Sequence, residues 1–251
     1  AWLKYYYPVE YMAALMTSVI DNPGKVAEYI YSCRQMGIKI LPPDINHGYS
    51  SFSVDNGSIR YGLAAIKSIG RPVIKEIVAE RKANGEFKNL KDFIERMSGK
   101  DINKRTIENF IKSGAFDELG GTRKQFMVIY VQILDQVNRE KKNSMTGQMS
   151  LFDIVGEEQK SEFDIPLPNV GEYEKSTKLA FEKEVLGIYL SGHPMEEYEE
   201  QWRKGISKTT QDFQFDEELG FSRVRDGATE IIGGIIAGKT IKYTKNNKTM
   251  C

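Results

Sequence analysis

Two glycine-containing turns near the middle of the chain gather residues suited to one kind of chemistry. In "LAAIKSIGRPVIKEIVAER" the turn Lys67-Ser68-Ile69-Gly70 leads into Arg71, Pro72 and Lys75. In "TIENFIKSGAFDELGGTRKQF" the turn Lys112-Ser113-Gly114-Ala115 is followed, after Gly120-Gly121, by Thr122, Arg123 and Lys124. A turn that opens into a helix aims unpaired backbone N–H groups outward together, at the end where the helix dipole favours negative charge. Lys and Arg beside it supply what a nucleic-acid backbone attracts. The chemistry expected is phosphate capture through Lys67, Ser68, Ile69, Gly70, Arg71, Lys75, Lys112, Ser113, Gly114, Arg123 and Lys124. Such contacts hold a duplex without reading its bases.

Residues that could make or break bonds are not arranged to do so. A two-metal site needs paired carboxylates holding ions ~3.5–4 Å apart, and Asp21, Asp44, Asp55, Asp92 and Asp101 stand singly. Ser191 and His193 invite a nucleophile-and-base reading, yet side chains so close in sequence rarely face each other that way, and turn roles are expected for Gly192, His193 and Pro194. Cys33, Cys251, His47 and His193 show no metal-ligand spacing. No catalytic residue and no metal site is expected in this stretch.

These turns need elements to position them. With 251 residues, 40% of them hydrophobic and 28% charged, the chain can bury a sizeable core in one to three domains. The zero net charge conceals segregation: residues 60–125 hold 15 Lys/Arg against 9 Asp/Glu, and residues 153–228 hold 9 against 18. The basic block coincides with the two turns, and the acidic block is expected to form a solvated face directed away from DNA. With no long apolar run and no basic-then-apolar leader, a cytoplasmic protein without a membrane span is expected. Both ends stop inside a pattern, so a piece of a longer protein is expected.

The elements read as mainly α with small β pieces. Pro8 opens a helix with apolar residues at Val9, Met12, Ala13, Leu15 and Met16, and Asp21-Asn22-Pro23 ends it while capping a second helix that stops at Gly37. "IKILPPDIN" is extended, and Asn56-Gly57 marks a hairpin of two short strands. Helices follow to about residue 142, with a short helix reaching Ile66, a tight turn in which Gly70 supplies the geometry, and a helix opened by Pro72. A later helix is centred near Leu186-Gly187, another opens at Pro194, and a strand begins at Thr229, bends at Gly238 and turns at Asn246-Asn247.

The two basic turns resemble a tandem helix-hairpin-helix pair, with Ser68 in the place of the first glycine of one copy and Phe116 in that of the second glycine of the other. The blocks "KYYYPVEYMAALMTSV", "CRQMGIKILPPDIN", "RYGLAAIKSIG", "NKRTIENFIKSGAFDELG", "QMSLF" and "FEKEVLGIYLSGHPMEEY" follow one another over essentially the whole chain as they do in the alpha subunit of bacterial DNA polymerase III. This resemblance implies the end of a fingers domain over 1–59, the tandem hairpin domain over 60–142, a linker over 143–170, a helical connecting region over 171–228 and a truncated OB-fold over 229–251. It implies a DNA-directed DNA polymerase, a nucleotidyltransferase of DNA replication whose Mg²⁺-binding aspartates lie upstream, so that this segment alone is inactive. Its implied partners are duplex primer-template, other replisome subunits, single-stranded DNA through the OB-fold, and the sliding clamp. The clamp would hold Gln148, Met149, Ser150, Leu151 and Phe152, with Leu151 and Phe152 as apolar anchors and Gln148 as the polar one. Two alternatives from the same residues are a non-catalytic adapter that binds DNA and the clamp, and an error-prone paralogue of the same family.

Overall fold

A computed structural model describes residues 2–145, 165–216, 220–236, 240–243 and 249–250. Three asparagines begin three of its helices, each side chain accepting the backbone N–H three residues on: Asn22 from Lys25 (3.1 Å), Asn89 from Asp92 (2.9 Å) and Asn103 from Thr106 (3.0 Å). After α1 (Trp2–Tyr6), Pro8 starts α2 (Pro8–Ser18) and Asn22 caps α3 (Pro23–Gln35), which ends before Gly37 at φ 73°. Strand β1 (Ile40–Leu41) pairs in parallel with β3 (Ser58–Arg60), and β3 pairs antiparallel with β2 (Ser53–Asp55). Asn56 and Gly57 both have positive φ, 48° and 75°, as the tight turn between β2 and β3 requires.

Helices α4 (Arg71–Asn84), α5 (Leu90–Met97), α6 (Lys104–Ser113), α7 (Arg123–Met145) and α8 (Lys175–Leu186) complete the larger of two compact units, which runs to Ser191. Its core is continuous from Met12 and Met16 of α2 to Val185 and Leu186 of α8. At its centre Phe93 packs on Phe116 with ring centroids 4.9 Å apart, and Phe110 lies 5.5 Å from Phe116. The segment boundaries expected at 59/60, 142/143 and 170/171 all fall inside this unit. The mainly α architecture with small β elements stands.

Three local expectations need correction. No α-helix leads to Ile66: a single 3-10 turn, Leu63–Ala65, takes its place, because Gly62 before it and Ile66 after it are both extended and leave too few residues for an α-turn. The helix expected around Leu186-Gly187 ends there, with Gly187 at φ 76° in the left-handed cap that a side chain resists. The strand expected from Thr229 does not form across the described residues 229–236.

The second unit begins at Gly192 and holds α9 (Glu199–Gly205), two 3-10 turns and the short pairs β4 (Phe215–Asp216) with β5 (Phe221–Ser222) and β6 (Lys242–Tyr243) with β7 (Thr249–Met250). In place of a strand ladder, Ile231 exchanges hydrogen bonds with Ser207, and the Gly233 carbonyl accepts from the Trp202 indole at 2.8 Å. His193 serves a turn, its backbone N–H donating to Glu196 and its Nδ1 accepting from the Met195 N–H. Among the described residues, no helix is long and apolar enough to cross a membrane.

Candidate nucleic-acid interface

The first turn is held from behind and open in front. The Lys67 backbone N–H donates to the Val185 carbonyl (2.8 Å), and its carbonyl accepts from the Asn109 side chain (2.7 Å), so α8 and α6 fix the turn from the core side. Ile69 is buried beneath it. The left-handed position falls on Ser68, with φ 63°, while Gly70 has an ordinary φ of −75°. The expectation that Gly70 supplies the turn geometry is therefore corrected: the strain sits on Ser68, whose small side chain tolerates a conformation that costs most residues ~1–2 kcal/mol.

Gly70 caps α4 without a side chain, and the N–H groups of Arg71 and Val73 in the first turn have no intrahelical acceptor. Lys67, Ser68, Gly70, Arg71 and Lys75 are exposed around this end. Arg71 meets Asp21 at 3.0 Å, both side chains being mostly solvent-exposed, an ion pair of the kind that contributes little and yields readily. Lys67 and Lys75 have no ion pair among the described residues.

The second turn has the sharper geometry, and its Lys112 and Arg123 are paired with carboxylates. α6 runs two residues past the expected Ile111 and ends at Gly114, φ 82°, a true left-handed cap. Arg123 is only 5% exposed and donates to Asp117 (2.8 Å), Glu182 (3.4 Å) and the Lys112 carbonyl (3.3 Å). Burial opposes its charge, but Asp117 and Glu182 outweigh that and hold the guanidinium above its ordinary pKa. Lys112 is tied to Glu184 (2.8 Å) and Glu108 (2.9 Å), and these carboxylates likewise raise its pKa against the opposing effect of burial. Ser113 is buried, with its hydroxyl donating to the Phe110 carbonyl.

The start of α7 is occupied as well. Thr122 and Gln125 satisfy each other's backbone N–H groups, a capping box. The Glu172 carboxylate accepts from the Arg123 and Lys124 N–H groups, both at 3.3 Å, in the seat where a phosphate would lie. Lys124 reaches over the Tyr173 ring. The segment stays in place because the Thr122 hydroxyl donates to the Gly171 carbonyl and Gln125 donates to the Pro168 carbonyl. The acidic block is thus not a solvated face throughout: Glu182 is buried against Arg123, and the exposed Glu172 and Glu184 reach back to the second hairpin, since cations packed against a core need partners.

The structure brings Lys67, Ser68, Gly70, Arg71 and Lys75 together around one exposed helix start, and places Arg123, Lys112, Ser113 and Gly114 inside the fold. Residues Gln148, Met149, Ser150, Leu151 and Phe152 lie outside the described residues. Sequence reading missed Glu172, Glu182 and Asn109. Only the Glu108-to-Lys112 pair carried a signal, the four-residue spacing of a helical ion pair. Among the described residues no group of three or more His, Cys, Asp or Glu could hold a metal ion. Four of the five aspartates considered for that role are otherwise engaged: Asp21 pairs with Arg71, Asp44 accepts the N–H groups of Asn46 and His47, Asp55 pairs with Arg60, and Asp92 pairs with Arg96.

A family model described as the helix-hairpin-helix motif matches residues 37–126, taking in both turns and the small sheet. DNA polymerase III subunit alpha of Borreliella burgdorferi is 35% identical over 250 residues, covering 100% of this chain and 21% of its own length. The chain belongs to the DNA polymerase III alpha-subunit family, as a segment of it. Its relative of that name in Deinococcus radiodurans is 36% identical over 252 residues, again 100% of this chain and 19% of that protein. In Mycobacterium leprae the figures are 39% over 195 residues, 78% of this chain and 16% of the relative. The chain therefore spans about a fifth of the length of these relatives.

Proposed function

We propose that this chain is the part of a replicative DNA polymerase that steadies duplex DNA and tethers the polymerase to its sliding clamp. The observation that carries the duplex grip is the asymmetry between the two hairpins. The first leaves a helix N-terminus bare among Lys67, Arg71 and Lys75, while the second is filled by Glu172 and its Lys112 and Arg123 are paired with carboxylates. Phosphates are engaged at the first hairpin, with the second holding it in place through Asn109. Binding is sequence-independent and falls as salt rises, with a log–log slope of about −0.9 per phosphate contacted. The clamp is engaged through residues 148–152, with Leu151 and Phe152 filling an apolar pocket and Gln148 bonding at its rim. Alone this contact is weak; with DNA held nearby, effective concentration strengthens the combined attachment by roughly 10²–10⁴.

The test is fluorescence anisotropy on two duplexes of unrelated sequence. Lys67→Glu with Arg71→Glu should weaken both equally and flatten the salt dependence; a double variant that binds as wild type removes the first hairpin from the contact. Clamp attachment is tested separately, with purified bacterial clamp and Leu151→Ala with Phe152→Ala, which should abolish clamp binding and spare duplex binding. The polymerisation chemistry belongs to residues upstream, so this chain with primed template, deoxynucleotides and Mg²⁺ should incorporate nothing.

A further inference from the structure

We propose that a groove beside α4 seats one or two unpaired nucleotides of single-stranded DNA, a site distinct from the duplex grip. The inference rests on the nucleic-acid reading of the first hairpin, because the groove continues from that helix end. Arg71, Lys75, Val78 and Lys82 fall on one line along α4, and Lys82 lies about 16 Å from Arg71 along the axis. Lys75 and Lys82 are exposed and have no ion pair among the described residues. The helix's acidic residues face elsewhere, Glu80 at 2.8 Å and Glu76 at 3.9 Å from Lys100.

Against this stripe lies an open groove of about 450 Å³, lined by Tyr49, Ser50, Ser51, Lys75, Val78 and Lys82 among others. Tyr49 is 44% exposed although it is a large aromatic side chain. Its backbone is fixed, its carbonyl accepting from the Leu63 N–H at 2.8 Å and that of Ser50 from the Ala64 N–H at 3.1 Å. Gly62 permits this approach: a Cβ there would stand 2.8 Å from the Ser51 backbone.

Beneath the groove sits an unusual cation. Arg81 is 8% exposed, donates to the Ile45 carbonyl at 2.8 Å and lies 4.8 Å from the centre of the Tyr49 ring. No carboxylate lies within ion-pair distance of it among the described residues. A buried cation without a counter-charge is costly, and here it adds positive potential under a surface already carrying Lys75 and Lys82. The arrangement suits an anionic ligand with a flat apolar body. Duplex DNA offers phosphates but keeps its base faces stacked, whereas a single strand offers both, a phosphate for the lysines and a base face for Tyr49.

The experiment uses the full chain and a labelled short oligothymidylate, read by anisotropy beside an equal-length duplex, with circular dichroism confirming that each variant is folded. Tyr49→Ala and Lys82→Glu should each weaken oligothymidylate binding by about fivefold or more, the range expected for losing one stacked base, and leave duplex binding unchanged. Tyr49→Phe, which keeps the ring, should bind as wild type. Lys67→Glu with Arg71→Glu should give the opposite pattern, losing mainly the duplex. Oligothymidylate binding that is absent in the wild type, unchanged in Tyr49→Ala and Lys82→Glu, or lost in parallel with duplex binding would overturn the proposal. Loss of the duplex grip alone would be read from the Lys67 and Arg71 variant.

Discussion

Replacing Arg123 by Ala separates two views of this chain. On spacing alone Arg123 is a phosphate contact, and its removal should cost DNA affinity and little stability. The structure gives the reverse. Glu182, 1% exposed, would keep the N–H groups of Leu190 (2.8 Å) and Ser191 (2.9 Å) but lose its counter-charge. Stripping one partner from a buried ion pair costs about 3–5 kcal/mol. The two remaining N–H donors argue for the lower end, and Asp117, whose side chain is 41% exposed, turns to water at little further expense. A loss of about 3 kcal/mol corresponds to a fall in Tm of roughly 6–12 °C for a folded unit of this size. Circular dichroism at a helical wavelength, in thermal and urea melts, measures it. Arg123→Lys should fall between, because one ammonium keeps a charge near Glu182 but cannot span both carboxylates. Duplex affinity of the folded variant should match wild type at low temperature. A barely shifted Tm together with clearly weaker duplex binding would refute the reasoning and return Arg123 to the DNA contact.

Gly114→Ala should destabilise the same region by at least about 2 kcal/mol in urea melts, because φ is 82° and the new Cβ would stand 2.8 Å from Asp117 Oδ2 and press on the Arg123 guanidinium. Acid should loosen the α4–α5 contact: Lys100 above all, then Asn84 and Arg96, hold the Glu80 carboxyl at about 2, below its usual 4.5. A lowered folded-state pKa stabilises fully above the unfolded value and progressively less below it, so Glu80→Gln should lose stability relative to wild type at neutral pH, and that difference should shrink between pH 4.5 and 2 in pH-dependent melts.

Local rules settled much of the chain before packing was considered. Pro8, Asn22, Gly37 and the Asn56-Gly57 pair bound their elements where the structure has them, because caps and turns depend on the backbone preferences of one or two residues. In "NLKDFIERM" the buried residues Leu90, Phe93, Ile94 and Met97 are the ones that recur at helical spacing. The position of the two basic turns was equally legible, since glycine, serine and the following helix start are local features. Which turn remains open was not. Two runs with similar Lys and Arg content differ because Glu172 and Glu182, some fifty to sixty residues beyond Arg123, come back to it through the packing of α8 and the irregular segment before it. Nothing in their own neighbourhood marks these glutamates as partners of the second hairpin, and by composition they belong to a solvated acidic block. Ser68 taking the left-handed position in place of Gly70 also depends on a distant partner, the Val185 carbonyl that fixes the Lys67 N–H. Charge is written in the sequence, but whether a charge is available to a ligand depends on what the fold sets against it, and that is decided only when segments far apart in the chain are packed together.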